Sequence, residues 1–174
     1  VRTLVAMPAY NEEAYIAKTV VGAARHADAV LVVDDGSKDE TVAIAEALGA
    51  IVVCHETNKG YGGALRTIFS TARDLGAEEL VIIDSDGQHS PGDISRLLTE
   101  LRRGNDVVFG SAGEACETTV PDTAIPGGFG AYGKKAIEAI RIGGNGASVG
   151  SEILAQVRGM KVAGVPAARS PADG

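Results

Sequence analysis

The chain has 174 residues, of which 45% are apolar and 22% charged, with a formal net charge of −7. That length suits one well-packed core, and no apolar run approaches the roughly 18–20 residues needed to cross a bilayer. The acid excess argues against a nucleic-acid partner and against attraction to anionic lipid headgroups.

Lys134-Lys135 could form a local basic patch but reads better as an exposed helix face. Cys54 and Cys116 have no metal-site spacing and form no disulfide framework, so a reducing, cytoplasmic compartment is expected. Cys54, following Ile51-Val52-Val53, is expected in the core. Val1 leads directly into a strand pattern with neither signal peptide nor initiator Met, as in a processed or trimmed chain. With 23 glycines, three Phe and no Trp, tight turns and a core of Ala, Val, Ile and Leu are expected.

The first strand, Thr3 to Met7, runs into the turn Pro8-Ala9-Tyr10-Asn11-Glu12-Glu13. Asn11 is placed to cap a helix with Glu12 and Glu13 in its first turn, where they would cancel the positive helix end and repel phosphate. Tyr10 can stack on a base and Glu12 can accept from its N–H edge; taken alone, the two acids read better as helix-dipole stabilisers. The second strand, Ala29 to Val33, ends in Asp34-Asp35-Gly36-Ser37. One acid there can accept from ribose hydroxyls or a base while the other takes loop N–H groups, and Ser37 to Glu40 has the form of a capping box.

A third strand, Ile51 to Cys54, precedes Asn58-Lys59-Gly60-Tyr61-Gly62-Gly63, a turn open to close ligand approach but lacking a P-loop ending. Gly49 and Gly76 are placed to end the second and third helices. The fourth strand, Leu80 to Ile83, leads into Asp84-Ser85-Asp86-Gly87-Gln88-His89. Two carboxylates at a strand's carboxyl end, with little cationic company, suit Mg²⁺ or Mn²⁺ and through it a substrate diphosphate. An acidic turn ahead of a helix starting at Ser90-Pro91 is the plainer alternative. A calcium loop counted from Asp84 fails, with His89 at its glycine position and Ser95 at its glutamate position.

Val107 to Gly110 is the fifth strand. Residues 112–130 read as an irregular loop, followed by a helix from Ala131 to Arg141, a loop from Gly143 to Gly150, a helix from Ser151 to Arg158, a strand from Lys161 to Pro166 and a frayed tail. The β-α-β alternation predicts an α/β fold with a doubly wound, mostly parallel sheet, and all the ligand-type turns share one sheet edge.

Four segments, Met7 to Glu13, Val33 to Asp39, Asn58 to Leu65 and Asp84 to His89, resemble in order and context the inverting family-two glycosyltransferases of GT-A fold, particularly the dolichol-phosphate mannosyltransferase branch. The resemblance covers residues 3–111 well and implies a single domain over 1–174: a nucleotide-sugar-binding half over 1–111 and a reduced acceptor-side half over 112–174. It implies that Pro8, Tyr10, Glu12, Val33, Asp35, Asp84 and Ser85 contact the nucleotide sugar, and that Asp84, Asp86 and Gln88 hold the Mg²⁺ or Mn²⁺. Ala112 stands where the family commonly has Arg, and Gly113 to Ala124 is short for an acceptor segment. Asp122 with Gly127-Gly128-Phe129, and Val165-Pro166 with Arg169, resemble later family motifs.

The expected activity is metal-dependent inverting transfer of a sugar from a nucleoside diphosphate donor to an acceptor such as a polyprenyl phosphate or glycan. Metal and pocket N–H groups would stabilise the departing diphosphate. Asp122 is the first candidate for a general base and Glu152 the next. The reduced acceptor side predicts that the isolated chain binds donor but transfers sugar slowly or not at all to polyprenyl phosphate. Any membrane contact would be peripheral or through a membrane-protein partner, at the cytoplasmic face. A nucleotidyltransferase would need a basic, Gly-rich first loop, which Asn11-Glu12-Glu13 contradicts. A nucleotide-sugar-binding module or inactive remnant is the rival of a different class.

Overall fold

The computed structural model describes residues 1–85, 87, 90–111, 129–144 and 149–166. Its strands are β1 (Thr3–Ala9), β2 (Ala29–Asp34), β3 (Ile51–Cys54), β4 (Glu79–Ile83), β5 (Val107–Ser111), β6 (Phe129–Gly133) and β7 (Val162–Pro166). They form one sheet in the order β3-β2-β1-β4-β6-β5-β7, and only β6 runs antiparallel to its neighbours. The helices are α1 (Ile16–Ala24), α2 (Thr41–Ala47), α3 (Gly60–Asp74), α4 (Ile94–Leu101), α5 (Lys134–Ala139) and α6 (Val149–Gln156).

Side-chain alternation along the central strands supplies two cores. Leu4, Ala6, Leu31, Val33, Leu80 and Ile82 face α3, α5 and α6. Val5, Met7, Val30, Val32, Val81 and Ile83 face α1, α2 and α4. Covering both faces explains why these strands read as continuous apolar runs. No helix of the described residues is long and apolar enough to cross a membrane.

Several local expectations need correction. Helix α1 begins at Ile16 with no acid in its first turn. Residues 12–15 instead form a turn closed by Tyr15 and Ile16 N–H groups on the Glu12 carbonyl. Helix α2 begins at Thr41, so Ser37 is not its cap. Part of the helix expected from Ala131 to Arg141 is strand β6, which lies between β4 and β5. Small residues allow this: a Cβ on Gly130 would lie 3.2 Å from the Val108 carbonyl. Tyr132 then packs edge-on against Phe69 and Phe109, at ring distances of 5.0 and 6.3 Å. Cys54 is exposed rather than in the core, because β3 is an edge strand. Gly49 (φ +86°) and Gly76 (φ +65°) follow the last turns of α2 and α3, as expected.

Candidate functional site

The sheet order places β1 between β2 and β4, so the chain's crossovers leave in opposite directions and a crevice opens at the strands' carboxyl ends. A pocket of about 370 Å³ occupies it, lined by Pro8, Ala9, Tyr10 and Glu12 after β1, Asp35 after β2, and Asp84 and Ser85 after β4. Asn58, Gly60, Tyr61 and Ala64, at the entry of α3, complete the lining. Six residues expected at the site, Pro8, Tyr10, Glu12, Asp35, Asp84 and Ser85, therefore meet in one cavity.

Val33 is not among the lining residues; its side chain is buried in the core toward α3. Asp86, Gln88, Asp122, Ala112 and Arg169 lie outside the described residues. Glu152 is absent from the pocket lining; its carboxylate accepts from the Gly143 and Gly144 N–H groups at 3.1 Å. Arg66 grips the carbonyls of Ile142, Gly143 and Gly144 from the other side, so Glu152 serves here to fix that loop.

Backbone-directed hydrogen bonds shape the pocket. The Asn11 N–H donates to Ser37 Oγ at 2.8 Å, and the Lys38 N–H donates to Asn11 Oδ1 at 2.9 Å. Asn11 itself has φ +51°, a left-handed turn conformation that Asn tolerates. Glu12 N–H donates to Thr41 Oγ1 at 2.9 Å, tying the loop after β1 to the start of α2. Thr41 also bonds Asp39, whose carboxyl is held below its ordinary range by that hydroxyl. These cross-links explain why Asn11 and Ser37 are not helix caps: each serves the neighbouring loop.

The two adjacent aspartates divide the remaining work. Asp34 Oδ2 accepts from Gly36 and Ser37 N–H groups, at 3.2 and 2.9 Å. Asp35 Oδ1 faces His55 Nδ1 at 2.8 Å and accepts from Lys59 N–H at 2.8 Å, while its Oδ2 accepts from Gly60 N–H at 3.0 Å. Asp35 thus ties β2 to the entry of α3 while lining the pocket. On the opposite wall the buried Ser85 hydroxyl donates to the Pro8 carbonyl at 2.7 Å, joining the ends of β1 and β4.

Aromatic surface flanks these polar groups: Tyr10 is 49% exposed and Tyr61 38%. Asn58, Gly60, Tyr61 and Ala64 add to the lining residues that the strand-end motifs mark, and the signal for them in the sequence is their Gly-rich segment. The only sequence signal for His55 is its position directly after a strand.

Asp84 offers a hard oxygen donor at the pocket, and Gly87 turns the following chain at φ +82°. A carboxylate oxygen is the donor type that a divalent cation such as Mg²⁺ or Mn²⁺ takes. Among the described residues alone, no three His, Cys, Asp or Glu side chains gather into a metal site.

Glycosyl transferase family 2 matches residues 4–141. A polyprenol monophosphomannose synthase of Mycolicibacterium smegmatis is 40% identical over 119 residues, covering 63% of this chain and 44% of that protein. The UDP-N-acetylglucosamine--dolichyl-phosphate N-acetylglucosaminyltransferase of Methanococcus voltae is 39% identical over 113 residues, covering 55% of this chain and 45% of that protein. The chain thus spans about half the length of the curated relatives it matches. In structure it is similar to glucosyl-3-phosphoglycerate synthase from Mycobacterium tuberculosis in complex with phosphoglyceric acid, with a TM-score of 0.79 at 22% identity over 99% of this chain and 74% of that one. The same enzyme in complex with Mn²⁺, uridine-diphosphate and glucosyl-3-phosphoglycerate gives 0.78 at 21% identity, over 99% of this chain and 74% of that one. These likenesses establish a GT-A fold.

Proposed function

From a chain that belongs to glycosyl transferase family 2, we propose a metal-dependent enzyme that takes a nucleoside diphosphate sugar and transfers the sugar with inversion to a polyprenyl phosphate. The observation that carries this reading is the pocket at the sheet's switch point, which brings together Tyr10, Glu12, Asp35 and Asp84. Tyr10 stacks on the base and Glu12 accepts from its N–H edge. Asp35 faces the ribose and orders the entry of α3, while Asp84 and Ser85 face the diphosphate and sugar.

Asp84, Asp86 and Gln88 would hold Mg²⁺ or Mn²⁺, which when bound offsets the charge of the diphosphate leaving group. A phosphate acceptor is already ionised and requires no general base. Asp122 then orients the acceptor; with a hydroxyl acceptor it would take the proton. The acceptor class follows from the names of the curated relatives, and a lipid-linked acceptor implies work at a membrane face.

Donor turnover tests the reading. Incubated with UDP- or GDP-sugars and Mn²⁺, the chain should release nucleoside diphosphate above a metal-free control, with slow transfer of label to polyprenyl phosphate. Tight donor binding with no release would favour a nucleotide-sugar-binding module, the reading supported by Ala112 and the short Gly113 to Ala124 segment.

A further inference from the structure

We infer that His55 is a positioning residue for the donor nucleotide, acting through Asp35 on the pocket's α3 wall. The inference rests on the nucleotide reading of that pocket. His55 does not line the cavity and is only 8% exposed. Both ring nitrogens are engaged, Nδ1 at 2.8 Å from Asp35 Oδ1 and Nε2 at 2.8 Å from Thr67 Oγ1. A ring bonded at opposite corners cannot turn without losing a bond, so it fixes the carboxylate it faces.

What that carboxylate holds gives the contact its consequence. Asp35 takes the N–H groups of Lys59 and Gly60, the residues at which the chain enters α3. Gly60 has φ +77°, a conformation that L side chains rarely adopt, so this entry is an irregular turn needing outside support. The first turn beyond it presents Tyr61 and Ala64 to the pocket. Thr67, which anchors the far side of the imidazole, belongs to the same helix, with its hydroxyl 3.2 Å from the Gly63 carbonyl. Helix α3 therefore grips His55, His55 orients Asp35, and Asp35 holds the start of α3: a closed circuit of side chains along one pocket wall.

An ionised carboxylate is an acceptor only, so Nδ1 presents its N–H to Asp35. The Thr67 hydroxyl can donate or accept, and it completes the circuit with either form of Nε2. A histidine serving only to fill core volume would be replaceable by an apolar ring with no effect on the ligand. A positioning histidine would not.

The test compares His55→Phe, His55→Asn and Thr67→Val by calorimetric titration with UDP and with GDP in Mn²⁺, alongside each variant's melting temperature. Asparagine can restore an N–H toward Asp35; phenylalanine fills the space without one. His55→Phe should weaken nucleotide binding about tenfold, the scale of one lost hydrogen bond to a charged group. Thr67→Val should weaken it less and in the same direction, and His55→Asn should recover most of the loss. A lowered melting temperature with unchanged nucleotide affinity in His55→Phe would overturn the inference. If that variant does not fold, unchanged affinity in Thr67→Val overturns it. Failure of the wild type to bind either nucleotide would instead sink the pocket reading. Amide exchange at Lys59 and Gly60 then still decides the linkage, expected to quicken in Thr67→Val and overturning it if unchanged.

Discussion

Gly87 packs directly against the Tyr15 ring: a Cβ built on Gly87 would lie 2.7 Å from Tyr15 Cδ1, at a backbone φ of +82°. The loop leaving Asp84 is therefore backed by the turn that precedes α1. Helix α1 continues the support, since a Cβ on Gly22 would lie 2.6 Å from the Pro91 ring. Gly87 is thus fitted to Tyr15, and Gly22 of α1 to Pro91, through missing side chains.

Gly87→Ala should accordingly lower stability by about 1–3 kcal/mol, from left-handed strain and the ring clash together. Urea denaturation measures it. Tyr15→Ala in the Gly87→Ala background should recover part of the loss, and strict additivity of the two changes would refute the contact.

Asp35→Ala should remove a carboxylate serving His55 and two backbone donors. Affinity for nucleoside diphosphate and free nucleoside should both fall roughly ten- to hundred-fold, equivalent to about 1.5–3 kcal/mol. Calorimetry with free nucleoside decides it: unchanged affinity would confine Asp35 to loop structure.

Much of this was legible because buried parallel strands write continuous apolar runs, and the acids that follow them mark the ligand edge. Thr3–Ala9, Ala29–Asp34, Ile51–Cys54 and Glu79–Ile83 all contain the strands expected from those runs. Loop chemistry was less legible. Asn11, Ser37 and Thr41 have the composition of helix caps, yet they bond across loops 26 to 29 residues apart in the chain. Local propensity carries no information about such partners. Strand β6 was missed for a related reason: Gly130 and Ala131 have weak strand propensity and gain their place from the gap between β4 and β5. Cys54 was misplaced because an apolar run does not reveal whether its strand lies at the sheet's edge.

Acid should weaken the fold through Glu79. This buried carboxylate accepts two bonds from Arg102 at 2.9 Å and one from the Thr3 hydroxyl at 2.7 Å. The Arg102 guanidinium foremost holds its carboxyl below the ordinary glutamate range. The associated stability is fully present above that ordinary value and disappears as pH falls through the lowered one. The stability gap between wild type and Glu79→Gln, from denaturant titrations across pH, should therefore close in acid; a gap constant with pH would remove the ionic contribution. At neutral pH Arg102→Met should cost about 1–3 kcal/mol by leaving a buried acceptor short of partners.

Donor binding is tested most directly by calorimetric titration of UDP- and GDP-sugars, with and without Mn²⁺, on the wild type, Asp84→Ala and Asp86→Ala. The wild type should bind one of these donors only when the metal is present, and both variants should lose that binding while Asp86→Ala keeps a wild-type unfolding transition. Wild-type affinity for donor plus Mn²⁺ in either variant, or equal binding with and without metal in the wild type, would contradict a metal-dependent donor site at the carboxyl end of β4.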